Sequence, residues 1–235
     1  MVETVPPTPA GDSGPTREHL LEAAGTVFAE VGFRAATVRA ICQQAGANVA
    51  AVNYHFGDKE ALYVAVLKES CRVALEKFPP DAGLPPEAPA ESRLRAFIQA
   101  FLQRIFSGGP SARHGQLMAR EMIEPTAALD GIVREEIRPM SVRLSEIIRA
   151  LVGPSANEET VRRCSMSVVS QILFYHHCRP VVNRLFPDVT FTPEEIDRLA
   201  DHITRFSLAA LHHFSAENDA ERRDNPNFAS QGDHD

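Results

Sequence analysis

Between residues 16 and 215 apolar side chains recur at helical spacing almost everywhere, and no alternating β-branched run bounded by hairpin turns interrupts them. The first stripe, Leu20, Leu21, Ala24, Val27, Phe28 and Val31, predicts a helix that starts near Thr16 as its N-cap and stops at Gly32. Thr37 caps a second, short helix carrying Val38, Ile41 and Ala45, which Gly46 closes. Asn48 caps a third through His55, ended by Gly57-Asp58, and Lys59 to Phe78 form a fourth with Leu62, Val66 and Leu67 inward. After the proline-rich break at 79–90, longer stripes predict helices over 91–107, 112–124, 126–152, 157–186 and 193–215. Pro180 lies inside one of these, where it removes an N–H and clashes with the His176 carbonyl, so a kink near His176-His177 is expected. The flanks, 1–15 and the acidic 216–235, lack periodicity and read as disordered. The pattern predicts an all-α protein with a small N-terminal domain of three to four helices over 14–74 and a larger helical domain over 79–215.

Composition supports this and raises one objection. With 44% apolar residues in 235, the chain can bury a substantial core. Cys42, Cys71, Cys164 and Cys178 form no C-x-x-C pair and read as small buried hydrophobes of a reducing compartment. No apolar run approaches membrane-spanning length and no signal core opens the chain, so a cytoplasmic protein is expected. The net charge of −7 argues against a nucleic-acid partner until it is apportioned. Residues 1–15 hold two acids and no base, and residues 216–235 hold six acids and two arginines, whereas residues 16–74 balance six bases against six acids. The acidity lies mostly in the tails.

Thr37 to Asn48 joins two short helices through a tight glycine turn, the arrangement of a DNA-binding helix-turn-helix. With Val38, Ile41, Ala45, Val52 and Phe56 inward, Val49, Ala50, Ala51, Asn53, Tyr54 and His55 remain to approach a groove. At this point the chain resembles the TetR family of bacterial transcriptional repressors. The resemblance rests on Thr16-Arg17, Ala23-Ala24, Phe28, Gly32-Phe33, Ala36-Thr37-Val38, Ile41, Ala45-Gly46, Val52, Tyr54-His55-Phe56, Lys59-Glu60 and Leu62. The run from Ala50 to Tyr63 and the segment Arg120-Glu121…Glu124-Pro125-Thr126 are similar to its CecR branch in particular.

The resemblance implies a dimeric, ligand-responsive repressor whose partners are a double-stranded palindromic operator, a small effector and a second copy of itself. It places Arg39 at a base edge, where a guanidinium pairs bidentately with guanine; the bland alternative is a solvated surface arginine. Thr37 combines a helix cap with a phosphate contact, and the cap alone would explain it. Val49, Ala50 and Ala51 open the recognition helix and suit contact with thymine methyls. Asn53 stands where the wider family has a tyrosine, which leaves its contact open. The family's backbone grip falls on Tyr54, His55 and Lys59, although His55 also suits a bond inside the small domain.

One helix-turn-helix reads one half-site, so dimerisation is expected on physical grounds too. The stripe Ile196, Leu199, Ala200, Ile203, Phe206, Ser207, Ala210 and Leu211 is the candidate interface, with some members needed for the domain's own core. A sensor pocket is expected among the preceding helices, lined by Phe97, Phe101, Ile105, Met118 and Met122, with His114, Arg120, Glu121, His176 and His177 as polar candidates. No Glu-x-x-His pair, H-E-x-x-H, phosphate loop or G-x-S-x-G elbow occurs, and adjacent His176 and His177 point about 100° apart on a helix. No enzyme activity, metal or cofactor is therefore expected. The rival reading is a helical intracellular ligand-binding or adaptor protein without a DNA target.

Overall fold

The computed structural model describes residues 13–106 and 110–224, and every regular element among them is helical. The chain divides into two compact units, with the boundary between Ser70 and Cys71.

The first unit is built on α1 (Ser13–Ala35), α2 (Val38–Ala45), α3 (Val49–Phe56) and the first part of α4 (Lys59–Lys77). Helix α1 begins at Ser13 rather than Thr16 and is broken at Gly32 (φ 80°, ψ 169°), where the apolar stripe ends. Leu20, Ala24, Phe28, Ile41, Val52, Leu62 and Leu67 are fully buried and form the core that the stripes predict. Tyr63 sits between two phenylalanines, 4.9 Å from the ring centres of both Phe28 and Phe33, and joins α4 to both parts of α1. Gly46 takes the left-handed conformation (φ 64°, ψ 28°) that a side chain resists, and its N–H bonds back to α2.

The second unit packs α5 (Ala90–Phe106), α6 (Pro110–Ile123), α7 (Ala128–Ile132), α8 (Arg138–Val152), α9 (Glu158–His177), α10 (Arg179–Leu185) and α11 (Pro193–Asp224). Helix α5 is central, packed by α6, α8, α9 and α11. Leu94, Phe97, Ile98 and Leu102 from α5 meet Leu144, Ile147 and Ile148 from α8, Val161, Val168 and Ile172 from α9, and Ile196, Ala200 and Ile203 from α11 in one apolar cluster. Arg95 pairs with Asp197 and Asp201 of α11 at 2.7 and 2.6 Å at the edge of this packing. Before α5, Arg143 donates to Asp81 at 2.8 Å and holds that carboxyl below its ordinary range, which pins the proline-rich segment to α8.

Two expected element boundaries are corrected, and the break expected at Pro180 is located. The stretch 126–152 is interrupted by a π-helical turn, Val133–Ile137, because Pro139 has no N–H and its ring crowds the Glu135 carbonyl; the Arg138 N–H reaches back to Val133 instead. The stretch 157–186 breaks at Cys178 (φ −92°, ψ 11°), one residue beyond His177, for the same reason at Pro180. Helix α11 does not stop at Ser215 but continues to Asp224, so the first part of the expected acidic flank is helical; its Ala, Glu and Arg residues favour that state. The expected flanks over 1–12 and 225–235 lie outside the described residues.

Helices α5 and α6 approach closely at Gly115 on α6. A Cβ there would stand 2.8 Å from the Ile105 carbonyl oxygen and 3.2 Å from His176 Nε2. Gly115→Ala is therefore expected to force α5 and α6 apart and lower stability by about 1–3 kcal/mol, read from the midpoint of urea unfolding.

Candidate functional site

Both short helices of the helix-turn-helix are held by their caps. Thr37 Oγ1 accepts from the Ala40 N–H at 3.1 Å, and Asn48 Oδ1 accepts from the Ala50 N–H at 3.0 Å. The Ala47 N–H bonds to the Cys42 carbonyl at 2.9 Å across the Gly46 turn, and buried Cys42 sets its thiol against the Asn48 carbonyl. With Ile41 and Val52 turned inward, the opposite surface carries Thr37, Arg39, Val49, Ala50, Asn53 and Tyr54 exposed, while Ala51 and His55 are half-buried. Tyr54 is 79% exposed, which is unusual for an aromatic ring in a small core-forming helix and leaves its hydroxyl open to an outside partner. Gln43 and Gln44 of α2 are also exposed on this surface. They were missed because they carry no family signal, although both are amides off the apolar stripe.

Lys59 is placed differently from a simple phosphate donor. Its Nζ donates to the Phe33 and Ala36 carbonyls at 3.0 and 3.1 Å and lies 4.4 Å from the centre of the Phe33 ring. These carbonyls belong to the chain just after the Gly32 break, so the ammonium joins the start of α4 to the end of α1. His55 stands 4.9 Å from the Tyr54 ring centre and 6.3 Å from that of Phe56, on whose face Arg17 rests.

The candidate pocket residues of the second unit do not form one set. Phe97 and Ile105 are buried in the main core with half-buried Phe101 packed against it, and Met118 on α6 is half-buried. Glu121 is fully buried, but its Oε1 accepts from both the N–H and the hydroxyl of Thr126 at 2.8 and 2.9 Å, so it closes the turn into α7. Arg120 and Met122 are exposed. Met122, His176 and His177 line an open groove of about 580 Å³ with Ala119, Ile123, Arg179, Pro180 and Asn183. His114 is turned inward, and burial, with the nearby Arg104 and His176 charges, lowers its pKa to about 4, which keeps it neutral. Arg104, absent from the expected set, is buried too; its signal was a charged residue inside the inward spacing of Phe97, Phe101 and Ile105.

Comparison with known proteins meets this geometry at both ends. The profile of bacterial regulatory proteins of the TetR family matches residues 20–66, and that of the C-terminal domain of the HTH-type transcriptional dual regulator CecR matches residues 90–211. The chain belongs to the TetR family, in its CecR branch. The dual regulator CecR of Shigella flexneri is 29% identical over 167 residues, covering 68% of this chain and 74% of that protein. The transcriptional repressor AcnR of Corynebacterium glutamicum is 45% identical over 62 residues, covering 26% of this chain and 32% of its own. Among solved structures, a putative transcriptional regulator from Pseudomonas aeruginosa shares the fold with a TM-score of 0.60 at 22% identity, covering 84% of this chain and 92% of that one. The protein is a TetR-family transcriptional regulator, and among its described residues no helix is long and apolar enough to cross a membrane.

In this TetR-family chain the stripe expected at the dimer interface turns out to be largely internal. Ile196, Ala200, Ile203, Ser207 and Leu211 are buried against their own domain and Leu199 is half-buried, which leaves Phe206 and Ala210 exposed. An amphipathic stripe does not say which body it packs on, and here α5, α8 and α9 take it. The outward residues are Met166, Ser170 and Phe174 on α9 and Phe206, Ala210 and Phe214 on α11, two helices joined by the Gln171 to Ser207 bond at 3.2 Å.

The placement of Lys59 has a direct consequence for stability. Lys59→Met keeps the packing against Phe33 and removes the donor to both carbonyls, so thermal unfolding followed by circular dichroism is expected to show a loss of about 1–3 kcal/mol.

Proposed function

We propose that this regulator is a repressor that binds a palindromic operator as a homodimer and is released by a small-molecule effector. The observation that carries this reading is the capped recognition helix α3, whose residues Val49, Ala50, Asn53 and Tyr54 are exposed among the described residues of its unit. Exposed Arg39 near the start of α2 supplies the bidentate base contact, the small residues Val49, Ala50 and Ala51 let α3 lie deep in the major groove, and Asn53, Tyr54 and His55 hold the sugar-phosphate backbone. The AcnR relative is a transcriptional repressor, whereas CecR is a dual regulator.

The second copy docks on the outward face of α9 and α11. Met166, Phe174 and Phe206 are each more than half exposed, and Ser170 and Ala210 beside them are small enough for two such helix pairs to approach closely. Effector binding acts through differential affinity for two arrangements of the dimer. Helix α4 carries the signal, since it begins in the reading unit and ends in the ligand unit.

A mobility-shift titration with DNA from upstream of the gene tests the reading. Retardation by wild-type protein is expected, and its absence would favour a helical binding protein without a DNA target. Arg39→Ala is expected to cost about 1–3 kcal/mol on the operator and nothing on an operator changed at the guanine it reads. For the dimer, the double substitution of Phe174 and Phe206 by Glu is expected to convert the sedimenting species to monomer while moving the midpoint of unfolding of the isolated chain little, because both rings are exposed.

A further inference from the structure

The ligand domain holds a buried cation that the preceding sections do not use. Arg104 is 5% exposed, between Phe101 and Ile105 on the inward side of α5, a place where a charged side chain ordinarily meets a carboxylate. Among the described residues it meets none. Its Nη1 donates to the Phe78 carbonyl at 2.9 Å, and the guanidinium carbon lies 5.4 Å from the centre of the Phe101 ring. A guanidinium carries five N–H groups in a planar fork, so one carbonyl and one ring leave most of that capacity unmet. Burial lowers its pKa to about 10, which leaves it charged at neutral pH.

A second group on the next helix is in the same position. His114 Nδ1 is buried and has no hydrogen-bond partner. Its imidazole is close enough to Arg104 and to His176 to feel both charges. His176 in turn packs against Gly115, the neighbour of His114, and forms part of the wall of the open groove. The polar groups of this cluster are thus His176 at the groove, His114 and Arg104, with the Phe101 ring beside the guanidinium.

We propose that Arg104 and His114 are the polar end of the effector site, and that the effector is a small organic monocarboxylate with an apolar body, admitted through the groove beside His176. The carboxylate takes the unoccupied edge of the guanidinium fork and one N–H of neutral His114, and the apolar body lies along Phe101, Ile105 and Met118. One cation beside a neutral imidazole balances one negative charge, whereas a phosphate dianion would bury an uncompensated charge. The Phe78 carbonyl follows the last turn of α4, so a carboxylate that draws the guanidinium competes with the contact that holds the end of that helix. The proposal rests on reading the protein as a ligand-responsive regulator and names the chemistry of its ligand.

The test compares matched probes on the full-length protein by thermal shift and titration calorimetry: octanoate against octanol, and cinnamate against cinnamyl alcohol. Wild type is expected to bind at least one carboxylate about tenfold or more tightly than its alcohol, the worth of a charged hydrogen bond. Arg104→Met is expected to abolish that preference. Arg104→Lys keeps the charge but not the fork, and is expected to weaken the carboxylate about tenfold while leaving the alcohol unchanged; it decides the matter should the Met variant fail to fold. Equal binding of acid and alcohol, binding of neither carboxylate, or a preference that survives in both variants would overturn the site. Wild type that shifts upstream DNA yet shows no carboxylate preference removes this site and leaves the regulator standing. A carboxylate preference that depends on Arg104, in a protein that shifts no DNA, does the reverse.

Discussion

The two helices of the helix-turn-helix are eight residues each, too short to persist in water by themselves, and the surface they present depends on what holds them. Each offers one fully buried anchor, Ile41 in α2 and Val52 in α3, and burying a side chain of that size contributes about 1.5–3 kcal/mol. The caps at Thr37 and Asn48 then satisfy N–H groups that no turn of helix could reach. Helix α1 supplies the surface for both anchors, and α1 is itself fastened beyond its Gly32 break by Tyr63 between two phenyl rings and by the Lys59 ammonium on two carbonyls. The reading head is therefore a thin layer stiffened from behind.

Much of this layer was legible in the sequence because its signals are local. Thr37, Asn48 and Gly46 each demand a particular backbone conformation within a few residues, and the apolar stripe of α1 ends where Gly32 breaks it. The features that escaped are those decided by distant partners. Lys59 reads as a surface cation until the carbonyls of Phe33 and Ala36 arrive beneath it. Glu121 reads as a candidate ligand group until Thr126 folds back onto it. The stripe from Ile196 to Leu211 has the right period for an interface and the right period for a core, and only the presence of α5, α8 and α9 chooses between them. The π-helical turn lay between the two kinds: Pro139 announces a defect, but not whether the helix stops, bends or widens.

Electrostatics narrow the mode of binding. The segment 16–74 is neutral overall, and one of its six bases, Lys59, has its charge directed at its own backbone. The long-range pull on a polyanion is weak, so selectivity and affinity alike fall to the few side chains that stand out from α2 and α3. In the other unit the situation is inverted: a cation is shut inside an apolar helical domain, where it acts over a short range and strongly.

Helix α4 runs as one helix from Lys59 to Lys77, through the boundary after Ser70. Its buried positions Leu62, Tyr63, Val66, Leu67, Cys71 and Ala74 follow one continuous phase across the boundary after Ser70. A single residue inserted there would put every later position of the helix about 100° out of phase with the earlier ones. Any chimera that grafts another reading head onto this ligand domain must therefore splice in register, keeping the helical phase as a gear keeps its teeth.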